Sequence, residues 1–279
     1  MIYLILAIAS SALVSICMRL SEKHVKNEMG MFTANYAACV VLSFLFLDTQ
    51  IAMNFSKAGW VMLGLGLVSG ILYLVSFVFM KWNMTYNGIV LSSTFMKLGV
   101  LIPTIMAIVV FREMPKWTQL LGIGCSIIAI IMINFDPSAV REGNKKIWLL
   151  ILLVLSGFTD SMANIYEQVG AAKLKDGYLL VTFIAAFLLA GILAISGKEK
   201  ISVKDLIYGV IIGIPNYFSA RFLLLALGNV EAVLVYPMYS VATIVVVTLV
   251  GVTFFKERLG KRRLAALALI LLALALLNG

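Results

Sequence analysis

Charge is scarce in this chain: Asp, Glu, Lys and Arg make up 13% of its 279 residues, about half of what a soluble domain carries. A soluble domain of this length could not hide 62% hydrophobic residues at a mean hydropathy of +1.06, so the chain belongs in a bilayer. Cysteine is rare as well. Cys17, Cys39 and Cys125 all fall within apolar stretches and no CxxC pair occurs, which excludes a disulfide framework and a cysteine metal site. A single histidine, His24, excludes a histidine cluster, so no metal or other cofactor is expected. Neither a Walker A stretch nor HExxH is present, and the apolar stretches hold no Ser/His or Cys/His arrangement. An ATP-driven pump and an intramembrane enzyme are therefore set aside. The net charge of +9 is dispersed over short loops. That dispersal sets nucleic acid aside as a partner and leaves the lipid bilayer.

What the chain has in abundance is apolar runs of membrane length. A helix needs about 20 residues to cross the hydrocarbon core. Ten such segments are predicted, at 2–18, 31–47, 59–80, 88–110, 117–134, 147–169, 178–196, 205–226, 232–254 and 263–278. They do not alternate polar and apolar residues, so a β-barrel is excluded. The first run lacks the basic flank and cleavage pattern of a signal peptide and is expected to stay in the mature protein. Odd-numbered loops hold fifteen Lys and Arg against five in the even-numbered loops. By the positive-inside rule the odd loops face the cytoplasm and both termini lie outside.

An internal echo organises these segments. Phe111-Arg112-Glu113 returns 144 residues later as Phe255-Lys256-Glu257, and at the same offset Leu120 falls on Leu264, Ala129 on Ala273, Asn134 on Asn278 and Tyr73 on Tyr217. Two five-helix repeats are expected, 1–135 and 147–279, joined by a connecting loop at 136–146. Five is odd, so the two repeats must have opposite orientation in the membrane, the inverted-repeat plan of secondary transporters. The expected fold class is an all-α polytopic membrane protein of ten transmembrane helices in two inverted five-helix repeats.

The stretch from Ala226-Leu227-Gly228-Asn229-Val230-Glu231-Ala232 through Tyr236-Pro237 to Phe255-Lys256-Glu257-Arg258-Leu259-Gly260, together with Pro103 through Glu113, resembles the ten-helix EamA-type permeases of the drug/metabolite transporter superfamily. The resemblance implies a secondary carrier with two five-helix halves around a central cavity, in the cell membrane, most simply the bacterial cytoplasmic membrane. It says little about cargo. Glu113 and Glu257 match the family's recurrent glutamate at the turn between the last two helices of each half. Both are read as structural, since a carboxylate near the N-terminus of the next helix suits its exposed N–H groups.

Polar residues inside the spans nominate the site. A charge at mid-bilayer depth costs about 2.5–3.5 kcal/mol on insertion scales and marks function by default. Lys97, Asp160, Glu167 and Arg221 qualify. Ser156, Asp160, Asn164 and Glu167 follow at helical spacing on one face. Pro215 is expected to kink its helix beside Asn216, Tyr217 and Arg221. Tyr73 and Ser76 match the positions of Tyr217 and Ala220, and Tyr236 and Tyr239 open the ninth span. Asp160 and Glu167 are also candidates for carrying a coupling proton.

Two acids and two bases admit two accounts. Either Asp160 and Glu167 brace Lys97 and Arg221 as permanent ion pairs, or the charges form a site with a cationic and an anionic end. The second suits a zwitterion such as an amino acid, with Lys97 or Arg221 on the carboxylate, Asp160 on the amine, and Tyr73, Tyr217 and Tyr239 packed around the remainder. A carrier of organic cations, choline-like compounds or cationic drugs, is the alternative, because tyrosine faces attract quaternary ammonium groups. A channel or non-transporting scaffold would lack counterflow exchange. The charge bias is checked directly: a cysteine placed at Asn144 should react with an impermeant thiol reagent in inside-out vesicles and not in right-side-out ones.

Overall fold

The computed structural model describes residues 1–22, 24–47, 57–134, 146–197, 200–254, 256 and 260–278. Among these the regular structure is helical, and no strand occurs. Ten α-helices follow in order: α1 Ile2–Ser21, α2 Glu28–Leu45, α3 Lys57–Leu98, α4 Leu101–Val109, α5 Trp117–Asn134, α6 Lys146–Val169, α7 Lys175–Ser196, α8 Val203–Leu227, α9 Ala232–Thr253 and α10 Lys261–Asn278. Seven helical segments among the described residues are long and apolar enough to cross a membrane, and Phe95–Val109 and Trp117–Ile133 are shorter apolar pieces. Helix starts follow local chemistry. Asn27 accepts from the Gly30 N–H ahead of α2, and Ser202 with Asp205 forms a reciprocal capping box ahead of α8. Asp205 is wholly buried and also accepts from the Lys26 N–H at 2.9 Å, tying the α1–α2 connection to the start of α8.

One boundary differs from the sequence expectation. A polar break was expected over 81–87, before a span at 88–110, yet the helix continues and breaks at Gly99–Val100 instead. Asn87 explains part of this. Its amide donates to the Asn83 side chain one turn back at 2.6 Å, so the two polar side chains are bonded to each other inside the helix. Even so, α3 cannot be straight. Ser76 meets Thr159 and Leu155, and Asn83 donates to the Trp148 carbonyl, so α3 runs antiparallel to α6 as far as Asn83. Thirteen residues on, the Met96 carbonyl accepts from Ser156, about 12 Å back along α6. A straight helix would have carried Met96 about 20 Å the other way. The chain therefore turns back between Asn83 and Met96, a stretch that contains the turn-forming pair Asn87-Gly88.

The chain divides into two compact units: Met1–Leu74 with Met162–Gly228, and Val75–Ser161 with Asn229–Gly279. The divisions fall inside α3 and α6, so each unit takes helices from both halves of the sequence. Residues 135–145, most of the expected connecting loop, lie outside the described residues. The 144-residue echo reappears in the backbone. Arg112 and Lys256 are the described non-glycine residues with positive φ, at 57° and 53°, and the bounds of α5 reappear in α10 at the same offset.

Glycine sets how closely the helices approach. In the first unit, Gly209 and Gly213 of α8 lie against Met31, Ala34, Asn35 and Ala38 of α2, and Gly66 and Gly70 of α3 lie against Tyr178, Val181, Thr182 and Ala185 of α7. In the second, Gly99 faces Gly157, and Gly122 of α5 meets Ala273 and Leu277 of α10. Small residues four apart let helix backbones touch where lipid offers no hydrophobic drive. A Cβ on Gly213 would lie 2.7 Å from that of Ala38 and still closer to the Asn35 carbonyl, whereas one on Gly64 would meet nothing within 4 Å. Gly213→Leu should therefore lower stability by about 1–3 kcal/mol, read as a lower melting temperature in detergent, while Gly64→Leu should be close to neutral.

Candidate functional site

The polar face of α6 decides which side of that helix is wet. Ile147, Leu150, Ile151, Val154 and Phe158 are exposed and apolar, and at 100° per residue they form one stripe. Ser156, Asp160, Asn164 and Glu167 fall on the opposite side. Ser156 and Asn164 are buried, but Asp160 is exposed. A carboxylate at mid-span, turned away from the lipid stripe and accessible in part, is suited to a water-lined cavity.

In the second unit four contacts fix the surroundings of Asp160. The Gly99–Gly157 approach brings the end of α3 onto α6, with the Ser156 hydroxyl donating to the Met96 carbonyl. Lys97 lies two residues before Gly99 and Asp160 three residues after Gly157, so both sit within a turn of this crossing. Tyr236, 2% exposed, donates its hydroxyl to the Asp160 carbonyl at 2.8 Å and holds α9 there. Ser76, 3% exposed, shares a 2.6 Å hydrogen bond with Thr159. Lys97 is exposed, and neither it nor Asp160 forms an ion pair among the described residues. Tyr239 is half-buried, and one turn further on the Thr243 hydroxyl is buried without a hydrogen-bond partner. A buried polar atom left in this state is satisfied by water or by a ligand.

The first unit holds Tyr73, Asn164, Glu167, Asn216, Tyr217 and Arg221. Here both charges are engaged. Glu167 pairs with Lys175 at 2.5 Å, and Arg221 pairs with Asp176 at 3.2 Å. Of the two accounts of these charges, permanent bracing would pair Arg221 with Asp160 or Glu167; instead Glu167 and Arg221 pair with the first two residues of α7. Tyr217 is fully buried beside Phe46, Phe183 and Phe218, and its hydroxyl accepts from Arg221 at 2.9 Å. Asn216 donates to Asn35 at 3.2 Å, and the Cys39 thiol donates to the Gly213 carbonyl. Tyr73 is half-buried, and the Asn164 amide nitrogen is buried without an acceptor. Asn35 of α2, a residue near a helix end, is thus part of a buried polar contact. Lys175 and Asp176 were missed because they look like loop charges. Their position two to three turns of chain after Glu167, at the start of the next helix, was the available signal.

The EamA-like transporter family model matches residues 1–135. That match covers just under half of the chain, and over those residues the chain is similar to the family. The match agrees with the seven described helical segments long and apolar enough to cross a membrane. A solved structure, titled only as the crystal structure of a protein, is similar over 99% of this chain and 94% of its own length, with a TM-score of 0.76 at 12% identity. That likeness extends the shared fold across the second half. No curated protein sequence matches.

The glutamate expected to be structural at the end of the first repeat has a defined task. Glu113 accepts from the Val233 N–H at 2.7 Å, so it caps α9 in the same unit, not α5, the next helix in sequence. Its counterpart Glu257 lies outside the described residues, as do Phe255 and Arg258. Removing the cap with Glu113→Ala should cost about 0.5–2 kcal/mol, seen as a lower melting temperature, and Glu113→Gln, which keeps an acceptor oxygen, should recover most of it.

Proposed function

We propose that this chain is a secondary active carrier of a small zwitterionic metabolite, most simply an amino acid, working by alternating access through ten spans in two inverted repeats in a cell's cytoplasmic membrane. One observation carries the cargo class. Of the four charges inside the spans, Glu167 and Arg221 are neutralised by α7, while Lys97 and Asp160 flank one glycine crossing in the second unit without an ion-pair partner among the described residues. One cation and one anion, each within a turn of that crossing, are complementary to a carboxylate and an amine on one small molecule. Lys97 holds the carboxylate, Asp160 the amine, and Tyr236, Tyr239 and Thr243 border the remainder. The 144-residue recurrence in α5 and α10 and at Arg112 and Lys256 supports the repeat. Asp160 is also the group suited to carrying a coupling proton.

A carrier of organic cations is favoured by a different fact: with Arg221 paired to Asp176, one of the two bases inside the spans no longer repels such a cargo. Thermal stabilisation in detergent separates the two, because a ligand of the folded state raises its melting temperature. Amino acids should stabilise the protein, and Lys97→Gln or Asp160→Asn should weaken that binding about tenfold or more, the worth of one charge-assisted hydrogen bond. Stabilisation by choline-like amines that survives Lys97→Gln and disappears in Asp160→Asn would replace the zwitterion reading with the cation one.

A further inference from the structure

Arg221 has more hydrogen-bonding capacity than its neighbours use. A guanidinium offers five N–H donors in a planar fork that matches both oxygens of a carboxylate. Here one terminal nitrogen donates to the Tyr217 hydroxyl at 2.9 Å. The other reaches Asp176 at 3.2 Å to Oδ1 and 3.5 Å to Oδ2. Both carboxylate oxygens are thus served by a single nitrogen, and the two parallel bonds of a fork-to-fork pair are not formed. The Phe46 ring lies 4.4 Å from the guanidinium carbon, which steadies the plane while leaving part of its edge open. The two side chains keep 20% and 25% of their surface exposed, so neither is sealed in the core.

The neighbouring pair is built differently. Glu167 and Lys175 sit against Gly228 at the end of α8, where a Cβ would lie 2.8 Å from the lysine nitrogen and 3.0 Å from a glutamate oxygen. That pair is also the shorter one, at 2.5 Å against 3.2 Å. Arg221 is then the cation of this cluster whose counter-charge can be exchanged.

We propose that Arg221 is a carboxylate-recognition site in the first unit, and that Asp176 is its built-in competitor. A small carboxylate takes the fork through two nitrogens, Asp176 lets go, and the first turn of α7 is freed from α8. The ligand class is the carboxylate end of a small metabolite, so the inference rests on the cargo class proposed above, though not on Lys97 or Asp160 as its binders. Asp176 imitates the cargo when none is bound.

The test uses the full chain in detergent and the twenty amino acids, each beside its decarboxylated amine, with thermal stabilisation followed against concentration. Asp176→Asn removes the competing charge at constant shape. The concentration of amino acid giving half-maximal stabilisation should fall about fivefold or more, while the amines should not respond to the substitution. Arg221→Lys keeps a cation for Asp176 but loses the fork, and it should weaken amino-acid binding about tenfold even where Asp176→Asn fails to fold. An unchanged or higher half-maximal concentration in Asp176→Asn, or unchanged binding in Arg221→Lys, overturns the proposal and leaves the pair as a brace. Unchanged binding in Lys97→Gln and Asp160→Asn sinks the preceding reading alone, and no stabilisation of any variant by any amino acid sinks both.

Discussion

Helices in hydrocarbon gain nothing by hiding apolar side chains from one another, because lipid tails are equally apolar. What holds them is close contact, and in this chain contact is limited by the width of glycine. Gly209 and Gly213 admit the backbone of α2, Gly66 and Gly70 admit α7, and Gly122 admits α10. The Gly99–Gly157 crossing does more than pack. It sets the end of α3 on the middle of α6 and so determines where Lys97 and Asp160 emerge. The candidate site thus depends on two residues that carry no side chain.

Polar groups serve three separate tasks in the membrane. Some close backbone accounts, as Glu113 does at the start of α9 and Asp205 at the start of α8. Others pin helices together, as Asn216 with Asn35, Ser76 with Thr159 and Tyr178 with Ser69. A third group is left open among the described residues, including Lys97, Asp160, the Asn164 amide nitrogen and the hydroxyl of Thr243. Satisfied groups brace the fold, and open ones are available to cargo and water, so the sorting of tasks is itself a functional map.

Much of the helical plan was legible in the sequence because membrane helices are specified by length and apolarity. The bounds 117–134 for α5 and the start of α9 at Ala232 could be read directly. The polar stripe on α6 was legible too, since helical spacing alone places Ser156, Asp160, Asn164 and Glu167 together. Partners were not. Glu113 caps a helix 120 residues away, and Arg221 finds Asp176 in a segment that reads as a charged loop; neither pairing leaves a local trace. The path of α3 was partly legible: the polar stretch at 81–87 announced a reversal, and the contacts to α6 change direction between Asn83 and Met96.

The division of the chain also has a consequence in time. Helices α1, α2 and the first part of α3 complete their unit with residues up to Gly228, so the faces of α2 that receive Gly209 and Gly213 are made long before those glycines exist. At ribosomal rates that interval is on the order of ten seconds. Through it Asn35 and Cys39, each buried against α8 in the finished protein, must wait in the membrane without their partners. The nascent first half is therefore the stage at which this chain is most in need of company, whether from lipid, from the insertion machinery or from a neighbouring copy.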